Sequence, residues 1–202
     1  MELKNLFFLI AIIIGGSYAT AQTIKVNNGI SFSSFNSDQF DVLEKRVNSY
    51  AFSIGMDYLN RKQFYISSEV GYLKIGGAEK NPNLSGELSK IEETWGFIQL
   101  NSTFRLKIFS NSDRHVFVGV GPKADLLVSD ENFNSEVYSP YYKMEKFSMG
   151  GKTEIGIVRD IDRIRLGLNA SYLFDVGKKI DSGSVNLKSE IYQIMFTIGY
   201  NL

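Results

Sequence analysis

Charged residues in this chain keep a period of two. Lys25, Asp57, Glu69, Arg105, Lys107, Lys123, Asp125, Lys152, Glu154 and Arg165 each stand on a face otherwise dominated by Gly, Ser, Asn and Thr. Cations and anions are mixed, so enclosure would let them neutralise one another, which a single-sign set could not do. Two chemistries suit such a set: a relay for protons or ions, or a structural lock. Glu69, Arg105, Lys152 and Glu154 are the expected centre of the cluster, with Lys123, Asp125 and Arg165 around it. His115 is the only histidine. General-base catalysis would need an orienting partner and a nucleophile beside it. Neither is recognisable, and its place next to the short turn Ser110 to Arg114 reads as a surface position. The chain has no Cys, which removes disulfides, thiol nucleophiles and thiolate metal sites. Gly76-Gly77 and Asn81-Pro82 are turn chemistry without a phosphate-binding pattern.

The elements that carry these charges are strands. Side chains alternate across a strand, so a period of two writes one face against the other. Eight stretches alternate in this way: Ile24 to Phe35, Ser49 to Leu59, Phe64 to Ile75, Trp95 to Ile108, His115 to Val128, Phe147 to Val158, Ile164 to Phe174 and Glu190 to Leu202. In the last, Tyr192, Ile194, Phe196, Ile198, Tyr200 and Leu202 oppose Gln193, Thr197, Gly199 and Asn201, with Met195 the one apolar residue on the polar side. Its two tyrosines are separated by about 19 Å of depth at ~3.3 Å per residue and a tilt of ~45°. Connections alternate long and short, and Gly76 to Glu93 shows no β-period. That rhythm fits an up-and-down barrel, with short turns at one rim and long loops at the other.

Composition agrees. Eleven Tyr, fifteen Phe and eighteen Gly against three Pro favour an all-β chain. Lys plus Arg total 22 and Asp plus Glu total 22, so no basic footprint for nucleic acid exists. At the amino terminus Lys4 precedes the apolar run Leu6 to Ile14, and Ala19-Thr20-Ala21 supplies a small-x-small site. Residues 1–21 are therefore expected to be a signal peptide and residues 22–202 the barrel domain.

Alternation alone leaves open which face is inside. A soluble lipocalin-like barrel binding an apolar ligand would turn its apolar face inward. The membrane version is favoured by the small residues on the polar face, which fit the tight interior of eight strands. Mixed charges on that face, and aromatics near strand ends on the other, favour it too. Eight strands leave room for side chains and not for an aqueous channel, which sets a plugged lumen against a narrow ion-conducting pore. The loop Asn132 to Phe147 concentrates Phe133, Tyr138, Tyr141 and Tyr142. Tyrosine offers large contact area at low entropic cost, which suits a partner- or glycan-binding tip. Anchoring among lipopolysaccharide head groups is the plain alternative.

Several pieces carry a family likeness: IKVNNGISFSS at Ile24 to Ser34, FYISSEVGYLKIGG at Phe64 to Gly77, RHVFVGVGPKADLLVS at Arg114 to Ser129, and the terminal IMFTIGYNL. Their order resembles the PorT-like outer-membrane β-barrel family, small barrels of Gram-negative bacteria. The chain departs from that pattern at Asn101-Ser102, where an Ile-Pro is frequent, and at Leu202, where Phe is usual. The expectation is an all-β, eight-stranded, up-and-down antiparallel transmembrane β-barrel in the outer membrane. It is expected to be non-enzymatic, without a cofactor or metal, monomeric, and in contact with outer-membrane lipid. The barrel assembly machinery would engage its C-terminal strand, and its role would be structural or loop-mediated binding at the cell surface.

Overall fold

The computed structural model describes residues 22–37, 43–82, 88–111, 113–134, 143–177, 179–181 and 186–202. The expected signal peptide lies outside them, as do Tyr138, Tyr141 and Tyr142. Eight long strands form the wall: β1 (Thr23–Ser37), β2 (Val47–Tyr58), β3 (Phe64–Pro82), β4 (Leu88–Ser110), β5 (Arg114–Leu127), β7 (Phe147–Ile161), β8 (Ile164–Asp175) and β10 (Asn186–Asn201). Two short pieces, β6 (Lys143–Met144) and β9 (Ile180–Asp181), belong to the long-loop rim. Each wall strand pairs antiparallel with its neighbour, and β1 pairs with β10 over its whole length, from Thr23↔Asn201 to Ser37↔Leu187. The sheet closes on itself, so the wall has no edge strand.

Burial settles which face is inside. Ile54 is 49 % exposed beside Ser53 at 7 %, and Phe196 is 47 % exposed beside Thr197 at 5 %. The same alternation runs around the wall, with Ile24, Val26, Leu106, Val120, Ile155 and Leu168 all turned outward. An apolar ligand carrier needs the opposite sense, so the lipocalin-like alternative does not fit.

Three local features differ from expectation. The connection Gly76 to Glu93 is largely strand: β3 and β4 stay paired out to Pro82↔Leu88, well above the β2 pairing, which ends at Ala51↔Leu73. Ile75, Gly76, Gly77 and Ala78 are buried in succession, with Leu43 and Lys45 of the β1–β2 connection against them, so both faces are covered and no period of two marks the stretch. Second, the β4–β5 register shifts between Lys107 and Phe109, a bulge that leaves Phe109 73 % exposed at the short-turn rim. Third, the long-loop end is not purely polar. Phe35, Leu43, Ile75, Trp95, Phe97, Phe133, Met144, Ile180 and Leu187 form one buried apolar cluster there. Leu43, Phe133 and Ile180 come from connections or from β9, and β9 pairs with both β6 and β10. These described parts of the connections fold inward over the lumen and cap it.

Candidate functional site

The lumen below this cap is filled by charge, in two layers. The layer nearer the short turns is built entirely from wall strands. Glu154 on β7 receives Arg105 Nε at 2.6 Å and Arg105 Nη2 at 2.9 Å, a two-pronged contact that suits the planar guanidinium. Thr103 Oγ1 donates to the same carboxylate at 2.6 Å. Glu69 on β3 gathers three cations: Lys25 at 2.8 Å, Lys152 at 3.0 Å and Arg105 at 3.1 Å. Lys152 also lies 3.2 Å from Glu154. Lys25 then reaches Asp57 at 3.0 Å, Asp57 meets Arg165 at 2.9 Å, and Arg165 forks onto Asp160 at 2.8 and 3.0 Å. Lys25, Arg105, Lys152 and Arg165 thus face Asp57, Glu69, Glu154 and Asp160 with no excess of either sign.

Small residues make room for this layer. A Cβ on Gly119 would lie 2.8 Å from Glu154 Cγ and 3.1 Å from Arg105 Cγ, and one on Gly55 would lie 2.8 Å from Glu69 Cγ. Both glycines are cross-strand neighbours of the carboxylate residues they accommodate. A side chain there would displace the ion pairs.

The second layer sits under the cap. Lys123 Nζ bridges Asp125 and Asp175, at 2.6 Å each. Lys179 Nζ reaches Asp125 at 2.6 Å and donates to Ser148 Oγ at 2.7 Å, with the Phe97 ring 4.2 Å below it. Gln99 Nε2 donates to Asp125 Oδ1 at 3.0 Å, and Ser189 donates to Asp175 from both N and Oγ. Lys179 lies in the connection between β8 and β9, outside the spanning strands. Burial holds its ammonium below its ordinary range, although Asp125 and Asp175 pull the other way. Between the layers is a small cavity whose lining includes Asn27, Ser53, Gln99, Asn101, Asn169 and Gln193.

The expected cluster therefore separates in space. Glu69, Arg105, Lys152, Glu154 and Arg165 share the lower layer, whereas Lys123 and Asp125 belong to the upper one. Lys107 is only half-buried, at the short-turn rim, where it donates to Asn60 Oδ1 at 2.6 Å. Three members had not been expected: Asp160, Asp175 and Lys179. Asp160 continues the inward parity of Glu154 and Val158, and Asp175 that of Ser171 and Leu173, so a longer reading of β7 and β8 would have found both. Lys179 has no such signal.

Two expectations are corrected. His115 is not a surface residue: it is the first inward position of β5, buried at 6 %, with its ring 5.6 Å from Tyr65 and 6.5 Å from Phe117. The strand starts at Arg114, so His115 lies within it, and its parity with Lys123 and Asp125 points the imidazole inward. No nucleophile or carboxylate is hydrogen-bonded to it among the described residues. Phe133 is not at an exposed tip. It is 4 % exposed and packs edge-on against Trp95 at 4.6 Å, because the loop turns back over the lumen.

A closed wall, apolar outside and charged within, is the arrangement lipid demands, since closure pairs each wall strand's backbone with a neighbour on both sides. The family model of the outer membrane protein beta-barrel domain matches residues 20–178. The chain belongs to that family. This outer-membrane β-barrel resides in the outer membrane, its outward aliphatics in contact with lipid. It resembles neisserial surface protein A at 11 % identity and TM-score 0.51, over 89 % of this chain and 97 % of that one. Ail of Yersinia pestis, solved with the heparin analogue sucrose octasulfate, aligns at 11 % identity and TM-score 0.47, over 88 % of this chain and 98 % of that one. AlkL in lipid bilayers aligns at 14 % identity and TM-score 0.46, over 90 % and 91 %. At these identities the likeness concerns the fold alone. No curated protein matches the chain in sequence.

Proposed function

We propose that this outer-membrane barrel is a monomeric, non-catalytic anchor that acts through its long loops, with a lumen closed to solutes. The observation that carries this reading is the filling of the lumen. Two charge layers cross it, and Trp95, Phe97, Met144 and Ile180 stop its outer end. The lumen cluster is structural in this reading, holding the wall strands in register. The tyrosines Tyr138, Tyr141 and Tyr142 supply the binding surface. Residues 1–21 direct export and are removed, and the barrel assembly machinery takes up the C-terminal strand. The likeness of Ile24 to Ser34, Phe64 to Gly77 and Arg114 to Ser129 to PorT-like barrels supports placing the chain in that subset.

Purified protein in planar bilayers tests the closed lumen. No steady conductance is expected, and stable single-channel steps altered by Arg105→Gln would establish the pore reading instead. For the loop, replacing Tyr138, Tyr141 and Tyr142 together by Ser should abolish cell-surface or glycan capture while leaving heat-modifiable gel mobility intact. Unchanged capture would remove the tyrosines from the account.

A further inference from the structure

The short-turn rim carries an arrangement that the closed wall does not require. Arg114, the first residue of β5, pairs directly with Arg159 on β7. Their inward neighbours are His115 and Val158, so both guanidinium groups leave the wall on its outer face. Like charges directly opposite on a strand pair are destabilising. Among the described residues the acid attached to the pair is Asp113, whose Oδ2 lies 3.6 Å from Arg159 Nε, in a contact more than half open to solvent on the arginine side. The backbone beneath is fixed: Asn111 N–H donates to Arg114 O at 2.8 Å, and Asp160 N–H donates to Asp113 O at 2.7 Å. Directly above the pair on the same face stand Ile157 and Val116, with Phe109 opposite Val116. Among the described residues the fully exposed charges of this rim are mostly basic: Arg61, Lys62, Arg114, Arg159 and Arg163 against Asp162, with Asp113 and Asp160 half-buried and Asp160 already held by Arg165.

We propose that Arg114 and Arg159 form a seat for the phosphate of an anionic glycerophospholipid in the inner leaflet. Short turns of outer-membrane barrels face the periplasm, which puts this rim at the depth of inner-leaflet head groups. An arginine pair offers paired N–H forks that match phosphate oxygens, and a bound phosphate turns the mutual repulsion of the pair into shared attraction. The seat is continuous with the lipid-facing band: acyl chains rising from it run along Phe109, Val116 and Ile157. Charge complementarity and that continuity select a lipid as the occupant.

The test reconstitutes the full chain in bilayers of phosphatidylcholine, with or without phosphatidylglycerol, and reads retained lipid by native mass spectrometry. Phosphatidylglycerol should be retained in preference. Arg114→Gln and Arg159→Gln should each reduce its retention roughly fivefold, the usual effect of one basic residue at an anionic surface. Lys143→Gln, at the opposite rim, should change nothing. Unfolding gives an independent reading: Arg114→Gln should raise the urea midpoint in pure phosphatidylcholine and lower it when phosphatidylglycerol is present. Preference for phosphatidylglycerol that survives both arginine substitutions overturns the proposal. So does competition by water-soluble glycerol phosphate as effective as the lipid itself. Capture of purified peptidoglycan that depends on these arginines, without any lipid preference, would give the rim to that polymer and overturn the lipid assignment.

Discussion

Every member of the lower charge layer, from Lys25 to Arg165, stands on a wall strand, whereas the upper layer depends on Lys179, which arrives from a connection. Both layers enclose balanced charge, but they are held in different ways. The lower one is fixed by strand register, because Glu69, Arg105 and Glu154 cannot separate without breaking the ring. The upper one is joined to the apolar cap: Lys179 lies over Phe97, and the next residue, Ile180, is part of the cluster around Trp95. The difference is that strand register holds the wall whereas apolar contacts and Lys179 hold the stopper, so the stopper is expected to loosen while the barrel persists.

Substitutions in the two layers should therefore differ in kind as well as in size. Glu154→Ala leaves Arg105 and Lys152 to share Glu69 within a sealed layer. It should cost about 3–5 kcal/mol, as removal of one partner from a buried ionic group usually does, with the loss appearing as a shifted global urea midpoint in vesicles. Trp95→Ala opens a void in the cap, and large-to-small changes of this kind cost about 3 kcal/mol. Because the loss sits in the cap, proteolysis of the long loops should accelerate more than the global midpoint falls. Lys179→Met leaves Asp125 with Lys123 and Gln99, so about 1–2 kcal/mol is expected. Hydrogen exchange of the backbone around Ile180 and Met144, in β9 and β6, should rise while β1 and β10 stay protected. The smallest effect belongs to the solvent-exposed pair Lys146–Glu131, 3.3 Å apart: Lys146→Ala should change stability by less than about 0.5 kcal/mol. Equal global effects from Glu154→Ala and Lys179→Met would show that wall and stopper unfold as one.

The wall was legible in the sequence because its physics is periodic. Ser53 and Ile54, or Phe196 and Thr197, declare their faces by parity alone, and lipid on one side with a crowded lumen on the other enforces that parity at every step. His115 obeys the same parity, sharing the inward face with Gly119, Lys123 and Asp125, but its place beside a turn reads as rim when parity is not carried to the strand's first step. Phe133 and Lys179 were out of reach because nothing periodic governs a loop that folds back on the lumen. The division of the cluster into two layers was also hidden. It depends on the stagger between strands, which sets Lys123 of β5 and Glu69 of β3 at different depths although both obey the same alternation.

The account rests on which face meets lipid. The chain has no native cysteine, so single cysteines at Ile54, Phe196 and Ile155 can carry spin labels without a competing site. In reconstituted bilayers the account predicts that all three labels are relaxed by oxygen dissolved in the hydrocarbon and shielded from a water-soluble paramagnetic ion. Labels that instead meet the aqueous reagent and stay shielded from the hydrocarbon would contradict it.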